Sequence, residues 1–166
     1  YFAGANDWLL TGRQDPVLGN GVLTAEELCH CRMSPPDLVV LSACFSGMGD
    51  VRQGSGIVGF QTAFKVQGAR AMLLSIWEAD DFASLVLMDR FYDNLSSMPA
   101  GQALRAAQRY LRTATIGALA EAGWFDPRRL RRIGLVAEDM RRMSRLSPAH
   151  RPFASLRCWG GYILYE

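Results

Sequence analysis

The segment Asp37-Leu38-Val39-Val40-Leu41-Ser42-Ala43-Cys44-Phe45-Ser46-Gly47 constrains this chain more than any other. An apolar run of strand length ends on small residues, a cysteine and a glycine turn. Pro35-Pro36 breaks the chain just before it, so the strand starts afresh. A cysteine so placed leaves the sheet at the carboxyl end of a strand, the edge where open α/β sheets bind ligands. Ser46 and Gly47 allow a sharp turn, and Gly47 lets a substrate backbone come close. The competing reading is a buried free thiol that ends a core strand, a common setting for cysteine.

The order of elements after Cys44 predicts a mixed α/β fold. Gly47 to Gly56 is a glycine-rich loop, and Ile57 to Phe64 carries a helical pattern that ends at Gly68. A second apolar run, Ala71-Met72-Leu73-Leu74-Ser75-Ile76-Trp77, has strand length and leads directly into Glu78-Ala79-Asp80-Asp81. Asp80 and Asp81 open the next helix, where carboxylates complement the N-terminal dipole. The apolar face expected for that helix is Phe82, Leu85, Val86, Met88 and Tyr92. A longer helix is expected from Ala103 to Leu119, with Leu104, Ala107, Tyr110 and Leu111 inward. Upstream, Thr24-Ala25-Glu26-Glu27 has the capping-box pattern, with Thr24 as N-cap and Glu27 reaching back.

Composition excludes several classes. A chain of 166 residues makes one domain or most of one, and 49% hydrophobic content suffices for a core. A net charge of +2 implies no global polyelectrolyte partner, so nucleic acid enters only indirectly if at all. No apolar run has the length of a membrane span, and no signal peptide is visible. Cys29, Cys31, Cys44 and Cys158 do not form the framework of a small secreted domain, which points to a reducing cytoplasm. In Cys29-His30-Cys31 the donors are adjacent, so on a helix they point in different directions, and no metal is expected. No cofactor is expected either. Gly47-x-Gly49 and Gly54-x-Gly56 lack a dinucleotide or phosphate-loop fingerprint, and no lysine follows. Residues 121–152 are rich in arginine, interleaved with Phe125, Leu130, Ile133, Leu135, Val136 and Met140. They read as a helical insertion, either a solvated amphipathic pair or a docking surface for an acidic partner.

The motif order resembles the CHAT-domain family of caspase-like cysteine proteases. That family shows a strand, an Ala-Cys-x-x-Gly turn, Gly-Asp-Val-Arg-Gly-Gly, a helix, Gly-Ala-Arg, and a strand ending Leu-Trp-x-x-Asp-Asp. The matching residues are Ala43-Cys44-Phe45-Ser46-Gly47, Gly49-Asp50-Val51-Arg52, Gly68-Ala69-Arg70, and Ile76-Trp77 through Asp80-Asp81. Gly21 to Glu27, Ala103 to Gln108, Phe153 and Trp159-Gly160-Gly161-Tyr162-Ile163-Leu164 extend the likeness. The resemblance implies a caspase-like three-layer sandwich, a mostly parallel sheet between helices. It implies that residues 1–166 are the C-terminal part of one such domain.

The resemblance also assigns roles. Cys44 is the expected nucleophile, and its own N–H and Gly47 are natural oxyanion donors in the turn after a strand. Asp50 caps the glycine loop or contacts substrate. Trp77, Asp80 and Asp81 are expected at the substrate pocket, because an acid after the same strand recognises a basic side chain in the related separases. The alternative is that both acids only cap a helix. The family's general base is a histidine in a His-Gly pair followed by aromatics. Neither His30 nor His150 fits that pattern, whereas Tyr1-Phe2 would follow it directly. The base is therefore expected from an N-terminal remainder of the same protein. The implied activity is a cysteine endopeptidase acting on a protein or peptide substrate, gated by a helical-repeat, TPR-like regulator. A CHAT-like pseudoenzyme that only binds partners is the alternative, and Phe45 favours it where many family members carry a polar residue.

Overall fold

The computed structural model describes residues 25–41, 56–77, 80–126, 128 and 142–166, without the side chains of 25–27 and 56–60. The chain divides into two compact units, Tyr1–Glu78 with Gly161–Glu166, and Ala79–Gly160.

The first unit holds a mixed sheet. Its described elements are α1 (Ala25–His30), β1 (Val39–Leu41), α2 (Gly56–Val66), β2 (Met72–Ser75) and β3 (Tyr162–Tyr165). β2 lies between the other two strands, parallel to β1 and antiparallel to β3. A parallel pair cannot be closed by a tight turn, so α2 makes the crossover. The continuous apolar run of β2 has a physical reason: all four of its residues are buried. Strands buried on both faces do not alternate. On one face Leu28, Val39, Ala63, Phe64, Met72 and Leu74 form a core cluster, joined by Cys29, Leu41, Ala69 and Ile163.

Gly68-Ala69-Arg70 is the joint between helix and strand. Gly68 has φ +83°, Gly68 N–H donates to Lys65 O (2.9 Å) and Ala69 N–H to Phe64 O (2.9 Å). These two bonds are a Schellman motif, which favours glycine at the left-handed position. A Cβ there would also lie 3.1 Å from Pro35 Cβ. Arg70 N–H then donates to Pro36 O (3.1 Å), and Val39 N–H to Ala71 O (2.9 Å), which sets the register of β1 on β2. The Arg70–Asp37 ion pair (3.1 Å) is exposed on both sides and adds little. Gln67 Nε2 donates to both Leu28 O and Cys29 O at 2.9 Å. It thereby satisfies carbonyls that the end of α1 leaves open. The expected Thr24 cap lies outside the described residues.

The second unit is helical among its described residues: α3 (Asp81–Leu95), α4 (Ala100–Thr113), α5 (Ile116–Glu121) and α6 (Leu156–Trp159). Asp80 caps α3 as expected, its Oδ1 accepting from Ala83 N–H (2.8 Å). The buried face of α3 is Phe82, Ala83, Val86, Leu87 and Phe91. Of the expected face, Phe82 and Val86 are buried, but Leu85 and Met88 are half-buried and Tyr92 is exposed. The apolar residues on this helix outnumber the positions its neighbours cover, so the pattern alone does not choose the face.

The single helix expected from Ala103 to Leu119 is two helices. Ala114 is extended (ψ 128°), and Thr115 Oγ1 accepts from Ala118 N–H (3.2 Å) as the cap of α5. Thr113 turns its hydroxyl back to Arg109 O (3.0 Å). Two threonines that bond the local backbone outweigh the apolar period here. The carbonyls of His150 and Pro148 accept from Ile116 and Gly117 N–H, both at 2.9 Å. α5 ends as α2 does: Gly123 has φ +73°, Gly123 N–H donates to Ala120 O (2.9 Å) and Trp124 N–H to Leu119 O (3.0 Å). The chain then buries Trp124, whose ring meets Phe82 edge-on at 5.9 Å. Phe153 (5.6 Å) and Phe125 (6.2 Å) lie against the same phenyl ring. Residues 127 and 129–141 of the expected 121–152 insertion lie outside the described residues.

Cys158 of α6 is half-buried. Burial first, and then the Asp80 carboxylate, push its thiol pKa up, while Arg157 pulls it down.

Two outcomes follow from this packing. Trp124 is 1% exposed, so Trp124→Ala should cost about 3–5 kcal/mol in urea unfolding. A loss below about 1 kcal/mol would mean that the aromatic cluster does not hold this unit together. Because the Cys158 pKa is raised, its thiolate forms at higher pH than in an unstructured peptide. Its alkylation by iodoacetamide should therefore rise at higher pH. Asp80→Asn keeps a capping side chain but removes one raising cause, so it should move that profile downward. Identical profiles in both proteins would exclude the Asp80 influence.

Candidate functional site

The described strands of the first unit bring three of their ends to one edge of the sheet. Leu41 pairs with Leu74 in the parallel ladder, so β1 and β2 finish on the same edge. Tyr162 pairs with Ser75 in the antiparallel ladder, so β3 starts there. This is the carboxyl edge of the parallel pair, where open α/β sheets bind ligands. From it the chain continues past Leu41 toward Cys44, and past Ser75 to Trp77, and it returns through Gly161. Cys44, Gly47 and Asp50 themselves lie outside the described residues.

Trp77 is held from several directions. Ile76 N–H donates to Gly161 O (2.8 Å), extending the β2–β3 ladder by one step. The hydroxyl of Ser75, a buried polar residue, donates to Trp77 O (2.7 Å). The indole lies directly over the Gly161 Cα: a Cβ built there would be 2.7 Å from Trp77 Nε1 and 3.0 Å from Cδ1 and Cε2. No side chain fits at residue 161 with the indole in this position. Ser75 and Gly161 were not singled out as positioning residues by the sequence. The signals were present, a lone hydroxyl inside an apolar run and a Trp-Gly-Gly triplet opening a strand.

Asp80 and Asp81 belong to the second unit, and both are exposed at the start of α3. One Asp80 oxygen is occupied by the capping bond. His30 ends α1 and is exposed. His150 is exposed as well, and its backbone serves α5. Cys29 packs against the first core cluster, while Cys31 is exposed. Among the described residues no three His, Cys, Asp or Glu side chains come together as a metal would need. Among them, too, no helix is long and apolar enough to cross a membrane. Cys158, with its raised pKa, is disfavoured in the thiolate form that a nucleophile requires.

Comparison with known proteins bears on the edge just described. The CHAT domain family model matches residues 4–166. Tetratricopeptide repeat protein 28 of Mus musculus is 33% identical over 98 residues, which cover 56% of this chain and 4% of that protein. The chain thus spans a small fraction of the length of the relative it matches. No solved structure gives a significant match. A family model that spans residues 4–166, through all three described strands, places this chain in the CHAT domain family, which is related to the caspase-like cysteine proteases.

Proposed function

We propose that this CHAT domain is a cysteine endopeptidase with Cys44 as its nucleophile. One observation carries the reading: β1 and β2 are parallel and in register, so both strands end on the same carboxyl edge, and Cys44 and Trp77 follow those ends closely in sequence. A thiolate departing there would meet substrate laid along that edge. In this reading the described mixed sheet is part of a caspase-like three-layer sandwich.

The chemistry is acyl transfer. Cys44 sulfur attacks the scissile carbonyl carbon, and a histidine takes the thiol proton. The oxyanion is met by the N–H groups of Cys44 and Gly47 in the turn. The tetrahedral intermediate collapses, the C–N bond breaks, and the same histidine protonates the leaving amine. Water then attacks the thioester, giving a carboxylic acid and the free thiol. We assign the base to a histidine outside this sequence, because His30 and His150 occupy helix-end and capping positions. Asp50 orders the glycine loop. Trp77 forms a pocket wall, and Asp80 or Asp81, three and four residues further on, supplies charge for a basic side chain. The mouse relative is a tetratricopeptide repeat protein. On that basis we assign control of the protease to a helical-repeat segment.

In the complete natural protein, a peptidyl chloromethyl ketone should modify Cys44, as read by mass spectrometry. Cys44→Ala should lower kcat/KM on the order of 10⁴-fold or more. Full activity in that variant would overturn the assignment, and no labelling of any cysteine under activating conditions would favour the pseudoenzyme. Selectivity gives a second outcome. Asp80→Asn or Asp81→Asn should slow cleavage after Arg or Lys at least about tenfold relative to cleavage after Leu, since a charge partner is removed. If the acids only cap α3, both variants should cost about 1 kcal/mol of stability or less and leave the ratio unchanged.

A further inference from the structure

α4 is divided into two faces. Ala103, Leu104, Ala107 and Leu111 are buried, whereas Arg105, Arg109 and Arg112 are exposed on the opposite side. Their spacing of four and three residues puts the guanidiniums in one row about 10 Å long. The helix contains no acidic residue. Arg105 and Arg109 make no ion pair among the described residues, and Arg112 lies over the Trp159 ring at 5.6 Å. α6 packs beside α4, tied by Gln108 Nε2 donating to Trp159 O (3.1 Å), and it exposes Leu156.

A solvated helix face normally mixes signs, because like charges at these separations destabilise a helix. The dipole explains Arg112 in the last turn but not Arg105 in the middle. The surrounding unit has the same sign: Ala79–Gly160 holds thirteen arginines against eight acidic residues, a net charge of +5. The rest of the chain holds five basic residues against eight acidic ones, net −3. The arginine row lies within that excess of positive charge.

We propose that Arg105, Arg109 and Arg112 form a docking surface for an acidic α-helix of a separate protein partner. A helix with carboxylates at i, i+4 and i+7 repeats the spacing of the row, so three charge-assisted contacts form at once. Leu156 at the margin offers apolar contact area. The geometry disfavours nucleic acid. Three cations reach few phosphates, and one face of Trp159 is already taken by Arg112. A membrane surface is disfavoured too, because the exposed face of α4 adds Gln102 and Thr113 rather than large apolar residues. The inference is independent of Cys44.

The test uses the full chain and a fluorescent, alanine-rich helical peptide of about 20 residues with glutamates at i, i+4 and i+7. Its isomer carries the same three glutamates consecutively. In anisotropy titrations at roughly 0.1 M salt, the spaced probe should bind at least about fivefold more tightly than the isomer. Arg105→Glu/Arg109→Glu/Arg112→Glu should weaken it at least about tenfold, and a probe with lysines in place of the glutamates should then bind that variant. If the triple variant loses its circular dichroism, Arg109→Gln alone should still weaken the spaced probe about threefold. Equal binding of the two isomers overturns the proposal, as does the absence of saturable binding. Tighter binding of a single-stranded oligonucleotide of about a dozen nucleotides, lost in the same variants, overturns it in favour of nucleic acid.

Discussion

The buried strand β2 is the constraint on which the first unit depends. Every one of its residues is inaccessible to water, so each backbone N–H and C=O must find a partner in the sheet. β1 supplies them on one side and β3 on the other, although β3 comes from the far end of the sequence. The chain is thus closed on itself by hydrogen bonds that β2 cannot do without. The glycine at 68 makes this attainable, because the left-handed turn ends α2 and delivers Ala69 to the core and Ala71 to the ladder without slack.

The second unit rests on a different interaction. Phe82, in the first turn of α3, receives three aromatic rings from residues that lie 42 or more positions later. Edge-on and tilted contacts of this kind add to area burial and fix relative orientation. Arg90 and Tyr110 join α3 to α4 at the surface of that packing, with the guanidinium carbon 4.3 Å from the ring centroid. Arg90 Nε is buried without a hydrogen-bond partner, a cost that the cation–π contact offsets.

The legible parts of the sequence were those where local chemistry and tertiary packing agree. The apolar run at 71–77 has strand length and holds the strand Met72–Ser75, and Gly68 and Asp80 announced their roles through turn and cap preferences. Where several apolar residues competed for one buried face, as on α3, the winner was set by neighbours remote in sequence: Phe91 is buried, Tyr92 is not. The break at Ala114 was hidden because alanines and leucines run through it, and only the two threonines mark the change. Of the site, the carboxyl end of the β2 strand was legible, because its apolar run leads directly to Trp77. The clasp of Ser75 and Gly161 on Trp77 was not, since it joins residues 86 apart through a strand pairing that no local pattern encodes.

That clasp makes Trp77 and Gly161 a single steric unit. The space a larger residue at 161 would need is already filled by the indole, and the indole keeps its place only while 161 has no side chain. Changing either position alone either forces overlap or opens a void, whereas changing both trades one volume for the other. The edge of the sheet can therefore be reshaped by moving bulk from one strand to its neighbour, with the backbone ladder between Ile76 and Gly161 left in place.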